Sequence, residues 1–147
     1  GMTMKVGMKL LTGGGNAQVN VAESVVNGST KKPELRKAWS EDELARFTLT
    51  ASELMQFQHF MDENERFAGK ITKTPVLMVQ GAQDELVKQS DNQAILDKIS
   101  VDDKTLVFVM NAEHLIFEEG QFDENDIAII VHWMDSPSPK KASLSVK

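Results

Sequence analysis

Apolar residues follow more than one rhythm along the chain. In "PVLMVQG", Pro75 to Gly81, they run almost unbroken, and they do so again in "TLVFVM", Thr105 to Met110. Short continuous runs of this kind, bounded by turn residues, predict buried strands at 76–80 and 105–110, covered on both faces. Between them Ser90 and Gln93 open a stretch that predicts a helix over 91–99. Strand, helix, strand makes a βαβ unit, which implies a parallel pair and a right-handed crossover. A final helix is expected over roughly 123–134, with Ile127, Ile130, Val131 and Met134 turned inward.

Upstream the pattern changes. "MKVGMKLL" (4–11) alternates apolar and polar residues, and "QVNVAESVV" alternates again, so 4–11 and 17–22 are candidates for a hairpin. Met4, Met8 and Leu11 also fit one face of a helix, which leaves that alternative open. "TGGGN" (12–16) reads as a flexible turn; no Lys-Ser/Thr follows, as a phosphate loop would require. "NGSTKKPE" (27–34) reads as a loop. Ser40 with Glu43, and Thr50 with Glu53, have capping-box spacing, and each predicts a helix after it. From Ala51 to Ala68, Leu54, Phe57 and Met61 keep one helical face with Phe60 and Phe67 beside it, and Gly69 is placed to end the helix. Such a stripe could line an apolar substrate slot, although packing against a core is the commoner role. The Pro/Ser/Lys-rich residues 136–147 have the composition of a disordered tail. The expected organisation is therefore residues 1–49, then an α/β region over 50–135, then the tail.

Composition narrows the function classes. At 147 residues and 16.3 kDa the chain can bury one ordinary core. It has no cysteine, so neither a disulfide framework nor a thiolate zinc site can form. A net charge of −6 argues against a nucleic-acid partner. No apolar run approaches the roughly 20 residues that span a bilayer, and no signal peptide is visible, so a cytoplasmic location is expected. His59 has Asp62 and Glu63 within helical reach, but that is too few ligands for a metal site, and His132 reads as a surface group. No cofactor or metal is expected.

The two strand ends carry the chemistry. In parallel α/β sheets, working groups gather just beyond the C-terminal ends of the strands. Asp84 follows the first strand and His114 the second. If the loops meet, the carboxylate can orient one ring nitrogen and leave the other as a general base. A solvated turn aspartate and an unrelated histidine would be the uneventful alternative.

These residues resemble a known family. "ITKTPVLMVQGAQDELV" followed by "DDKTLVFVMNAEHLIFEE" resembles the C-terminal part of the α/β-hydrolase fold, in the group of monoacylglycerol lipases, lysophospholipases and serine aminopeptidases. There a Gly-x-x-Asp turn delivers the triad acid, matched by Gly81 and Asp84, and a short turn delivers the triad histidine, matched by His114. The Gly-Ala/Ser-x-His turn of many members is Asn111-Ala112-Glu113-His114 here. The resemblance covers about residues 33–134 and is closest over 71–119. It implies an α/β fold holding a cap-region remnant, helices, the parallel unit and a final helix, without the first strands or the nucleophile elbow.

The family nucleophile is the serine of Gly-x-Ser-x-Gly. No serine here has glycine at both of those positions; Ser29, in "NGSTK", comes nearest. The resemblance therefore implies a portion of a carboxylic-ester hydrolase that is inactive alone. A lipid-ester substrate is implied only if a separate N-terminal half complements it. A non-catalytic structural or interaction module is the alternative. A strand at 76–80 without its second neighbour would expose an edge, so a homodimer is expected.

Overall fold

The computed structural model describes residues 13–136. The expected strand at 4–11 and the polar tail beyond Ser136 lie outside the described residues. The chain divides into two compact units, one reaching to Asn64 and the other starting at Glu65.

In the first unit β1 (Gln18–Asn20) pairs antiparallel with the distant β2 (Thr48–Thr50), Val19 opposite Leu49. Val19, Val21, Val26 and Ala51 are buried. The glycine-rich turn is tied down rather than loose. Gly15 and Ala17 carbonyls accept from the Ser52 and Ala51 N–H groups, two of the donors that open α3 (Ala51–Ala68).

Two helices occupy ground where the sequence suggests otherwise. α1 (Ala22–Ser29) and α2 (Pro33–Ser40) reduce the expected loop at 27–34 to a short link. α1 begins at Val21 without a side-chain cap and ends in Asn-Gly-Ser, so its local chemistry resembles a strand and a turn. Tertiary bonds compensate: Arg36 Nε donates to Thr30 O at 2.6 Å and Nη2 to Asn27 O at 3.3 Å, serving carbonyls at the end of α1. No helix follows Ser40. It closes α2, its Oγ donating to Arg36 O at 2.7 Å, and Asp42 Oδ1 then takes the Leu44 N–H into a tight turn. Pro33 at the start of α2 is the stronger helix initiator.

The Thr50–Glu53 box forms. Thr50 N donates to Glu53 Oε2 at 2.7 Å and Glu53 N donates to Thr50 Oγ1 at 3.1 Å. α3 ends before Gly69, but that glycine stays out of the left-handed region; successive turns, Lys70 N to Phe67 O and Ile71 N to Ala68 O, end it instead. The apolar stripe does not pack into a core: Phe57 is 61% and Phe60 60% exposed.

The second unit contains β3 (Val76–Gly81), α4 (Gln89–Lys98), β4 (Lys104–Val109) and α5 (Glu124–Asp135). β3 and β4 pair in parallel, Val76 opposite Lys104 and Gly81 opposite Val109. Ala68, Leu96 and Ile99 centre a core that Ile71, Val76, Met78 and Leu106 surround. Lys104 joins helix to strand: its Nζ donates to Leu96 O at 2.9 Å and Ile99 O at 2.5 Å, neutralising carbonyls at the C-terminal end of α4. α5 starts on a capping box between Asp123 and Asp126.

The strands are less covered than their apolar runs suggest. Only Gln80, Gly81 and Val109 are buried; the other ladder residues are half-buried, since among the described residues the sheet has only two strands. Likewise Ile127 and Ile130 are half-buried, while Val131 and Met134 are exposed.

Glu53 gives this fold a pH signature. The Thr50 backbone N–H, then the Arg46 guanidinium and the Thr50 hydroxyl, hold its carboxyl below the ordinary glutamate range. A lowered folded value stabilises the ionised, folded form. That contribution is present above the unfolded glutamate pKa and is lost as pH falls through the folded value. Thermal melts across this acid window should show a loss of stability that Glu53→Gln reduces; identical pH profiles for the two proteins would contradict it.

Candidate functional site

The end of β3 turns sharply after Gly81. Asp84 N donates back to Gly81 O at 3.2 Å, and the Asp84 carboxylate organises the next residues of the loop: Oδ1 accepts from Leu86 N at 2.8 Å and Val87 N at 3.0 Å. This is the self-bonding turn geometry that aspartate favours. Gln80, buried at the end of the strand, holds the far side of the loop, its Nε2 donating to Val87 O at 2.8 Å.

The end of β4 meets this loop. Ala82 N donates to Val109 O and Gln83 N to Ala112 O, both at 2.9 Å, so the ladder continues one step into the loops. Gly81 makes the approach possible. A Cβ there would lie 2.0 Å from Glu113 O and 2.5 Å from Ala112 O. Both are backbone atoms, so no side-chain rotation could relieve the clash.

The result brings Asp84 and His114 together. His114 Nδ1 lies 3.0 Å from Asp84 Oδ2, with the aspartate side chain 6% exposed and the imidazole 35%. An ionised carboxylate only accepts, so neutral His114 donates through Nδ1–H. Nε2 then carries the lone pair, and no protein partner for it is found among the described residues. The carboxylate has three partners, two backbone N–H groups and one imidazole, which offset the cost of burying a polar group. The pair can hold a histidine in one tautomer, take a proton at Nε2 and stabilise the resulting imidazolium.

The other candidates lie apart from this chemistry. Ser29 is fully buried on the last turn of α1, not in a loop, and its Oγ donates to Val25 O at 2.7 Å. His59 is exposed on α3, and no metal-binding group of three ligands occurs among the described residues. His132 is exposed, with the Ser136 hydroxyl bonding its carbonyl at 2.7 Å. Gln80 and Gln121 emerge only from the structure, since a glutamine near a strand end or in a polar loop carries no sequence signature of burial.

Asp84 and His114 thus meet on the two loops that follow a pair of parallel strands. The sequence model of the family "serine aminopeptidase, S33" matches residues 8–121, and the chain belongs to that family of α/β hydrolases. Among solved structures, it is similar to the crystal structure of Paleococcus ferrophilus monoacylglycerol lipase, with 22% identity and a TM-score of 0.63. The alignment covers 90% of this chain and 51% of that one, so the chain spans about half the length of this structural relative. At that identity the likeness shows the fold. No curated protein matches the sequence. No helix among the described residues is long and apolar enough to cross a membrane.

Gly81→Ala tests the geometry of the site. The added methyl must push two peptide units aside, so we expect a loss of roughly 1–3 kcal/mol in denaturant unfolding. An unchanged midpoint and slope would show that the loops do not approach as described.

Proposed function

We propose that Asp84 and His114 are the orienting acid and the general base of a serine ester hydrolase. The observation that carries this is the 3.0 Å contact between a buried carboxylate and Nδ1 of a half-exposed imidazole, at the ends of paired parallel strands. In the reaction, Nε2 of His114 would accept the proton of an attacking serine and return it to the leaving alcohol. Asp84 would hold the ring and stabilise its positive charge. A carboxylic ester with a lipid acyl group is the substrate class this reading favours, supported by the likeness to a monoacylglycerol lipase.

The nucleophile and the oxyanion donors come, on this reading, from polypeptide beyond these 147 residues. Two observations support it: no serine has the Gly-x-Ser-x-Gly setting, and the nearest imitation, Ser29, is buried and bonded to its own helix. Acid and base without attacking group or oxyanion hole lose most transition-state stabilisation.

The chain alone should therefore cleave short nitrophenyl esters no faster than its His114→Ala variant. Turnover abolished by a serine-directed phosphonate would overturn this. Mixed with a polypeptide bearing the elbow serine, the chain should gain esterase activity, and His114→Ala should lower it on the order of 10^4-fold or more. Failure to restore turnover with any such segment would favour the alternative, a non-catalytic interaction module.

Association belongs to the same reading. β3 pairs with β4 alone among the described residues, which leaves its other edge open from Val76 to Gly81. Open edges of half-buried strands recruit further strands. Without a complementing polypeptide, two copies are expected to pair along it. Light scattering should give twice the 16.3 kDa chain mass. A monomer of chain mass at high concentration would exclude the dimer.

A further inference from the structure

We propose that Gln121 is the positioning residue of His114, a role that rests on the assignment of Asp84 and His114 as acid and base. His114 sits in a long irregular connection between β4 and α5, two residues past the last ladder bond at Ala112 O. The Ala112–Glu113 peptide is held at its carbonyl by Gln83 N, and its buried N–H needs a second constraint. Gln121 supplies that constraint from eight residues downstream: its Oε1 accepts the Glu113 N–H at 2.7 Å and its Nε2 donates to Glu113 Oε2 at 3.1 Å. Both bonds are buried, and Gln121 is 0% exposed.

The chain returns to make this contact through two successive turns, Glu118 N to Leu115 O and Gln121 N to Glu118 O, both at 3.0 Å. Gly120, at φ 73°, supplies the left-handed step immediately before Gln121. The segment 113–121 is thus a loop closed at its neck by one amide side chain. At the opposite end of the Glu113 residue its carbonyl lies against Gly81, in space that a Cβ there would occupy. With the Glu113 N–H held by Gln121 and its C=O lying over Gly81, the next residue has less freedom in where it projects its imidazole. A side-chain amide suits the task. It offers one acceptor and one donor on a planar group, which matches the N–H and the carboxylate of a single residue. Loss of it leaves a buried N–H and a buried carboxylate oxygen without this partner, which favours reopening the loop.

The test reads the ring itself. Long-range proton–nitrogen correlation of the full chain, at a pH where His114 is neutral, should show the Nδ1–H form. Gln121→Met, of similar length but without the amide, should lose that form in favour of the Nε2–H tautomer that free histidine prefers. Amide signals of the β3–β4 ladder should persist. Glu113→Gln, which keeps the backbone N–H for Gln121 to accept, should retain the native ring. An unchanged ring in Gln121→Met, or equal loss in Glu113→Gln, would overturn the proposal. Should Gln121→Met not fold, hydrogen exchange in the unaltered chain decides: the Glu113 amide should exchange about tenfold or more slowly relative to an open loop amide. Unprotected exchange there would equally overturn it. None of these readouts involves a substrate, so a failure of ester cleavage and a failure of the clamp are seen separately.

Discussion

The register of β3 against β4 is the constraint on which the site depends. Gly81 stands opposite Val109, and the loops carrying Asp84 and His114 leave the sheet from there. A slip of one residue would move one loop along the other by about 3.3 Å, more than a hydrogen bond can absorb. Several features hold that register. Val76 N donates to Asp103 O at one end and Ala82 N to Val109 O at the other. Lys104 anchors the first residue of β4 to the end of α4. Gly81 admits Ala112 and Glu113 at a distance that no larger residue allows.

The parts of this arrangement that were legible in the sequence are those governed by local chemistry. Continuous apolar runs marked both strands, and turn-forming residues after them marked the positions of Asp84 and His114. The Thr50–Glu53 spacing located the start of α3 because a capping box involves only neighbouring residues. The features that could not be read were set by distant partners. α1 lacks a cap and relies on Arg36, several residues away in the next helix. The Ser40–Glu43 spacing misled, since Pro33 had already begun a helix that Ser40 ends. The exposure of Phe57 and Phe60 was equally invisible, because periodicity reports an apolar face but not whether anything covers it.

Buried amides are the second theme of the site. Gln80 steadies the loop of Asp84 and Gln121 the loop of His114, each bonding a backbone group near the pair rather than the pair itself. Backbone groups in irregular loops must find partners if they are to be buried, and a neutral amide supplies them without placing a further charge beside the Asp84 carboxylate. Gln80 Oε1 and Asp103 Oδ2 are exceptions, buried without a hydrogen-bond partner among the described residues.

The closed neck at Glu113 and Gln121 also separates the interior of its loop from the geometry at its base. Once both ends are pinned, lengthening the span between them adds chiefly chain entropy, about 0.6 kcal/mol for each doubling. Residues such as Ile116 and Phe117 can therefore be exchanged, or the span extended, while the imidazole keeps its place. A protein built this way can vary the rim beside its paired histidine with the pair itself left undisturbed.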